Sequence, residues 1–365
     1  MLPLIDVLES NNSIKKVNLS EISMQDSRYR YAGNGNSNAR VLNSILRNNK
    51  SIKDLNLAGS GLDDDGLKEI CEGIENNTSI TSLDLSRNNF SSIGSERLRT
   101  AIIKNKSIKA LNLSRNALGY RAMNALLCSC GPKGVLIQTN GNYVFEEILN
   151  SVSHGIAFLL SIVCSNLLVS ESLVANGTDY HFWACSVYSF SLIFLFLSSC
   201  LYHSFFMLPS TSKVLQILDH VGIYFLIAGS YTPYLLIGLH SSVAARILLT
   251  GQWIAAISGS IFAACADLNN PITTIIELTF FLCMGFGLIF VWPIITTELS
   301  GPAFDLLWMG GAAYVIGVIF FVLGEKKPIY HVVWHLFVVL GAALHWFDVY
   351  FYIVKMNKPQ LNSNS

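Results

Sequence analysis

The chain has 365 residues, with 24 Lys and Arg against 24 Asp and Glu. Hydrophobic residues make up 52% and charged residues only 13%. The charged share is about half the soluble norm of roughly 25%, which excludes a wholly water-soluble protein of ordinary composition. No nucleic-acid partner is expected.

The charge deficit is uneven. Residues 1–140 carry 18 Lys and Arg and 13 Asp and Glu, whereas residues 141–365 carry 6 and 11. All 8 histidines fall in the second part. Two domains are therefore expected, a polar one over 1–140 and a membrane domain over 141–365. The start Met1-Leu2-Pro3-Leu4-Ile5 has no basic region before it and Asp6 and Glu9 soon after, so no secretory signal is expected. The first spanning helix would then direct insertion itself. The cysteines suggest no disulfide framework: Cys164, Cys185, Cys200 and Cys283 sit inside apolar runs, where a thiol behaves as a small hydrophobe. Cys128 and Cys130 are too close for the usual zinc spacing.

In the polar half, Ile52-Lys-Asp-Leu55-Asn-Leu57, Ile80-Thr-Ser-Leu83-Asp-Leu85 and Ile108-Lys-Ala-Leu111-Asn-Leu113 recur every 28 residues. Ile14-Lys-Lys-Val17-Asn-Leu19 is an earlier copy, set apart by an insertion over Arg28–Asn38. Each copy predicts a short strand followed by a helix, as over Gly66–Glu75 and Ser95–Lys104. Leu4–Glu9 reads as the helix of a first repeat. Val135-Leu136-Ile137 falls one period after Ile108 and predicts a closing strand. This pattern resembles the leucine-rich repeat of the ribonuclease inhibitor type, an α/β solenoid. In that resemblance Asn88 and Asn116 hold the turn backbone, and Ser60 replaces the asparagine of the preceding unit. Such units bury a core only by stacking. The small concave face holds no histidine and no catalytic constellation, so its expected role is docking an intracellular protein.

Seven apolar runs follow, at roughly 151–170, 182–206, 214–238, 244–265, 272–296, 303–323 and 330–354. Backbone groups in lipid must pair internally, so each run predicts a helix. Gly251, Gly259, Gly310, Gly311 and Gly317 are expected to let helices approach closely. With the N-terminal domain in the cytoplasm, inner loops contain Lys213, Lys326 and Lys327 and outer loops only Arg246. Lys355 and Lys358 argue the other way. The sequon Asn176-Gly-Thr178 then falls in the first outer loop. The expected product is an integral multi-pass protein of the plasma membrane or an endomembrane.

Polar residues gather at one depth. Glu147, Asn150, Ser153 and His154 enter the first helix, and Ser199 and His203 leave the second. Asp219 and His220 enter the third; His331 and His335 enter the seventh. Helices one, three, five and seven start on the same side and helix two ends there, so at 1.5 Å rise these groups lie within about 10 Å of one boundary. His331 and His335, four apart, stack on one helix face. With His203 they offer three imidazole nitrogens to a zinc ion, which leaves a coordination position open for water. Asp219 is a candidate base or ligand-orienting group, and Ser199, one turn before His203, a candidate hydrogen-bond donor. For Ser199 the rival is a hydroxyl bonded back to its own helix. His220 adjoins Asp219 and should point elsewhere. Glu277, near the inner end of helix five, is a structural partner or an outer group of the site. His345 stands about 15 Å further along helix seven.

Four separated motifs carry a resemblance. They are Glu147-x2-Asn150-x2-Ser153-His154; Ser199-x3-His203; Leu218-Asp219-His220-x-Gly222-Ile223-Tyr224-x3-Ala228-Gly229-Ser230-Tyr231-Thr232-Pro233; and His331-x2-Trp334-His335-Leu336-Phe337. Together with Met284-Gly285, Gly341 and His345, they resemble the hemolysin III and progestin and adipoQ receptor (PAQR) superfamily over about 143–354. The third motif leans towards the hemolysin III and monocyte-to-macrophage differentiation factor branch. The resemblance implies an α-helical membrane protein, a seven-transmembrane bundle of the adiponectin receptor or hemolysin III kind, with its N-terminus inside. It implies zinc (Zn2+) held by His203, His331 and His335, with Ser199 and Asp219 beside the metal water. It also implies a ceramide-type membrane lipid as substrate or ligand. Three functions follow as expectations: zinc-dependent hydrolysis of a lipid amide, signalling through a receptor with structural zinc, and, ranked last, pore formation. The repeat domain departs from the short polar tail usual in the family.

Overall fold

A computed structural model describes residues 8, 11–24, 37–139, 141–174, 179–206, 208–268, 270–299, 301–324, 327 and 329–356. The chain divides into two compact units, one ending at Glu146 and one beginning at Glu147, apart from the connecting segments 206–210 and 323–329, which group with the first.

In the first unit, strands and helices alternate: β1 (Lys16–Asn18), α1 (Ser37–Asn48), β2 (Asp54–Asn56), α2 (Asp64–Asn76), β3 (Ser82–Asp84), α3 (Ser92–Lys104), β4 (Ala110–Asn112), α4 (Tyr120–Cys130) and β5 (Leu136–Gln138). The five strands form one parallel sheet in sequence order. Val17, Leu55, Leu83, Leu111 and Ile137 stand in register across it. The closing strand expected one period after Ile108 is thus present. The repeated apolar positions, from Ile52 and Leu57 to Ile108 and Leu113, pack into a single core. Leu4–Glu9, apart from Leu8, and most of Arg28–Asn38 lie outside the described residues.

Asparagines knit neighbouring repeats. Asn88 Nδ2 donates to the carbonyls of Leu57 and Leu85, each at 2.9 Å, and Asn116 Nδ2 repeats this on Leu85 and Leu113 at 2.9 and 3.0 Å. Ser60 keeps the local bond, its hydroxyl donating to Leu57 O at 2.7 Å. A second ladder escapes the sequence reading. Asn77 Nδ2 donates to Leu46 O and Asn49 O, and Asn105 Nδ2 donates to Ile74 O and Asn77 O. These carbonyls end the helix of the preceding repeat, where intrahelical donors run out. The same amides accept from the chain beyond: Asn105 Oδ1 takes the N–H of Ser107 and of Ile108, both at 2.8 Å. Each asparagine is therefore a buried hub whose loss would strand several backbone groups, at about 1–3 kcal/mol apiece. Burial pushes the Cys71 thiol up to about 12, so it stays neutral, and the described cysteines are all unbridged.

In the second unit, seven segments among the described residues are long and apolar enough to cross a membrane: Val144–Leu173, Asp179–Ser204, Thr211–Gly238, Val243–Cys265, Ile272–Glu298, Pro302–Leu323 and Ile329–Lys355. The corresponding helices are α5 (Gly141–Leu173), α6 (Asp179–Ser204), α7 (Pro209–Pro233), α8 (Val243–Cys265), α9 (Pro271–Gly285) with α10 (Trp292–Glu298), α11 (Pro302–Leu323) and α12 (Ile329–Phe351). Side chains such as Leu159, Phe190, Ile257, Ile275 and Ile319 are exposed along them. That apolar surface is what a bilayer would cover.

Two spans are less regular than the apolar runs predict. Span three passes at Pro233 into a π turn over Tyr234–Gly238. Span five breaks into a 3-10 stretch, Phe286–Val291, before α10 starts at Trp292 with Pro293 in its first turn. Its freed backbone finds partners on other helices, as lipid-embedded backbone must. Tyr231 Oη donates to Gly285 O at 2.6 Å and accepts from Leu288 N at 3.2 Å, and Gln252 Nε2 donates to Met284 O at 2.8 Å. The glycine expectation divides. A Cβ at Gly259, Gly310 or Gly317 would lie within 2.8 Å of an aromatic or imidazole ring on a neighbouring helix, whereas one at Gly251 or Gly311 would meet nothing within 4 Å. The first three allow close approach; the last two do not serve it. Composition alone could not tell them apart, because they differ only in which way their helix is turned. Lys326, Lys358 and the sequon 176–178 lie outside the described residues.

Candidate metal centre

Two helix ends, that of α6 and the start of α12, converge in the second unit. His331 and His335 occupy successive turns of α12, their ring centroids 4.8 Å apart, as the four-residue spacing predicts. His203, near the end of α6, brings its ring to 4.7 Å from that of His335 and 5.6 Å from that of His331. All three are buried, and each offers a ring nitrogen such that the three nitrogens lie within 4.8 Å of one another. Sequence reasoning named this trio, and the fold assembles it across more than a hundred residues of chain.

The surrounding groups fix which nitrogens face a metal. Glu147 Oε2 accepts from Nδ1–H of His203 at 2.8 Å, with both side chains fully buried. That bond reserves Nε2 of His203 for ligation. His335 Nδ1 lies 2.9 Å from His154 Nε2. Ligation through Nε2 of His335 requires its Nδ1 to carry the proton, which His154 then accepts. Carboxylate and imidazole partners behind ligating histidines set tautomer and ring orientation in this way. The donor set therefore fits a borderline divalent cation: three neutral imidazoles, two of them oriented from behind.

The sequence reading placed Glu147 and His154 at the right depth and left their roles open. The signal was in their spacing. Glu147, Asn150 and His154 are three and four apart, so they share one face of α5. Asn150 is 0% exposed, and among the described residues neither of its amide atoms has a hydrogen-bond partner. Glu147 Oε1 and His154 Nδ1 are in the same condition. Buried polar atoms without partners call for a small polar occupant.

Asp219 comes from α7. A Cβ at Gly222 would stand 3.0 Å from Leu195 and 3.1 Å from Ser198 Oγ, so α7 packs directly on α6 at this level. That approach sets Asp219, one turn earlier, within interaction range of Ser199, His203 and His220. Ser198 Oγ does bond back to its own helix, donating to Leu195 O at 3.0 Å. Ser199 Oγ makes no such bond and is buried at 1% exposure beside Asp219. His220 is engaged by another helix, its Nδ1 pairing with Glu277 Oε2 at 2.9 Å. Glu277 is thus the partner of His220.

The Haemolysin-III related family matches residues 142–346. The chain belongs to that family. Leucine-rich repeats match at 48–71, 76–97 and 104–127, which places recognised repeats ahead of a haemolysin-III domain. Hemolysin-3 of Bacillus cereus is 39% identical over 214 residues, 58% of this chain and 94% of that protein. The Hemolysin-3 homolog of Bacillus subtilis (strain 168) is 37% identical over 213 residues, 58% of this chain and 96% of its own. The human monocyte to macrophage differentiation factor is 28% identical over 225 residues, 59% of this chain and 89% of that protein.

Proposed function

We propose that this protein is a zinc-dependent hydrolase of an amide bond in a membrane lipid of ceramide type. The observation that carries the reading is a buried trio of imidazoles, His203, His331 and His335, with the Asp219 carboxyl and the Ser199 hydroxyl beside it. Zinc held there would polarise an amide carbonyl and acidify water. Asp219 takes the proton from the attacking water and returns it to the departing amine. Ser199 donates a hydrogen bond to the oxyanion that develops on the carbonyl. Glu147 and His154 hold His203 and His335 in the ligating tautomer. The buried setting keeps bulk water away and strengthens each of these interactions. A substrate amide would reach the site laterally from the bilayer. The test measures zinc content and fatty-acid release from ceramide-like lipids in purified protein and in the two variants discussed below.

The role assigned to Glu147 has its own test. Glu147→Gln keeps the volume but removes the charge behind His203. Zinc affinity, measured by competition with a chromophoric chelator, is expected to fall about 10–100-fold. An unchanged affinity would remove Glu147 from the site.

A second reading is a signalling receptor in which the metal is structural and the N-terminal module docks a protein. It is favoured by a groove on the sheet face, lined among others by Ser82, Asp84, Asn112, Leu136 and Gln138. Leu136 there is 77% exposed. Stacked repeats of this kind would form a short solenoid with that groove on its concave side. Both readings put residues 1–140 in the cytosol, ahead of a membrane domain over 141–365. Protease added outside intact cells should leave the module whole, and its digestion would reverse the orientation.

A further inference from the structure

A second polar cluster lies inside the bundle, far along α12 from the histidine trio. At 1.5 Å rise, His345 and Asp348 stand about 15 and 20 Å beyond His335. Asp348 is 0% exposed. Tyr234, at the start of the π turn that ends span three, donates its hydroxyl to Asp348 Oδ2 at 2.7 Å. Asp348 Oδ1 has no hydrogen-bond partner and Asp348 forms no ion pair among the described residues. His345 is also buried, with Nε2 3.3 Å from Leu307 O. A carbonyl accepts only, so Nε2 carries the hydrogen and Nδ1 presents a lone pair, again without a partner.

The surroundings are neutral and closely built. Tyr188 of α6 reaches Ala342 O at 3.4 Å, and the ring of Tyr314 of α11 lies 5.5 Å from that of His345. Gly310 and Gly341 make room: a Cβ at Gly310 would fall 2.1 Å from the His345 ring, and one at Gly341 2.8 Å from Tyr314. Two further titratable groups, one just after α12 and one on α6, are engaged elsewhere. Lys355 Nζ sits over the Phe351 ring at 5.8 Å, and His181 Nε2 is 2.8 Å from Met356 O. Two buried acceptors, Asp348 Oδ1 and His345 Nδ1, thus lack a donor. They are three apart on one helix and share a face.

We propose that Asp348, with Tyr234 on its other oxygen and His345 one turn before it, is a proton-binding site at the opposite end of the bundle from the metal centre. A proton on Asp348 Oδ1 removes an unpaired charge from a low-dielectric interior, where such a charge is costly. A sodium ion fits less well, because it needs several oxygens and the Tyr234 hydroxyl is already committed to Oδ2. The π turn beneath Tyr234 gives the site a place to register the proton, since such turns gather at functional positions. The proposal stands apart from the hydrolase reading and from the identity of any metal.

The test is infrared difference spectroscopy on the full chain in detergent, with carbon-13 aspartate to isolate Asp carboxyl bands. At neutral pH a protonated Asp C=O band is expected in the wild type and absent in Asp348→Asn. Tyr234→Phe removes the bond to Oδ2 and is expected to shift that band to higher frequency; it carries the test if the asparagine variant does not fold. Raising the pH should convert the band to carboxylate, with the same midpoint in sodium and choline chloride. Only carboxylate absorption at neutral pH would overturn the proposal in favour of a water-bridged anion. A midpoint that moves with sodium would overturn it in favour of a sodium site. A band indifferent to both substitutions would assign the proton to another aspartate and overturn it as well.

Discussion

Replacing His335 with alanine is expected to empty the metal centre. The side chain sits at the middle of the cluster, 4.7 and 4.8 Å from the rings of His203 and His331 and 4.0 Å from that of His154. Its loss removes one of three nitrogens and also the group that His154 contacts at 2.9 Å. Removing an outer partner of a ligand typically weakens metal binding by about 10–100-fold, and removing a ligand should exceed that. Purified wild type is expected to hold close to one zinc per chain after dialysis against a weak chelator, and His335→Ala close to none. His240→Ala serves as the control, since His240 is exposed and stacks on Tyr180; it should keep its zinc. Equal metal in wild type and His335→Ala would sink the centre, and both functional readings with it.

The second large effect separates those readings. Asp219→Asn is expected to lower lipid-amide turnover by about 10²–10⁴-fold, the usual contribution of a positioned acid–base group. Metal content should stay near the wild-type level, because asparagine preserves the volume beside Gly222, where α7 rests on α6. The readout is fatty acid released per zinc-loaded protein, so that metal loss and turnover loss are not confused. Turnover unchanged by this substitution would remove Asp219 from the chemistry. If the wild type hydrolyses nothing while a ligand response survives in the variant, the receptor reading is the one left standing. Loss of zinc together with turnover would instead make Asp219 part of the metal scaffold.

The relatives bear on the scope of these experiments. The alignments cover 94% and 96% of the two bacterial proteins, so the same metal measurements can be run on them in parallel.

Much of this protein is legible in its residue order. The 28-residue recurrence of Ile-x-x-Leu-x-Leu determines the parallel sheet, because each unit places the same apolar side chains at the same heights. Seven apolar runs determine seven spans, because lipid tolerates little else. His331 and His335 determine two of the three imidazoles of the candidate metal site, since four residues of helix return a side chain to the same face. These signals are local and periodic, and such signals survive in a linear string.

What the string does not carry is the rotation of one helix against another. Glu147 finds His203, His154 finds His335, and Glu277 finds His220 only after the helices have turned and closed. The same turning separates Gly310, which admits the ring of His345, from Gly311, which meets nothing within 4 Å. Asp348 drew no expectation from the sequence; only packing supplied Tyr234 on one of its oxygens and, among the described residues, no partner on the other. Side-chain chemistry decided what these residues are able to do. Tertiary structure decided which of them meet, because desolvation forces buried polar groups to find partners that lie far away in sequence.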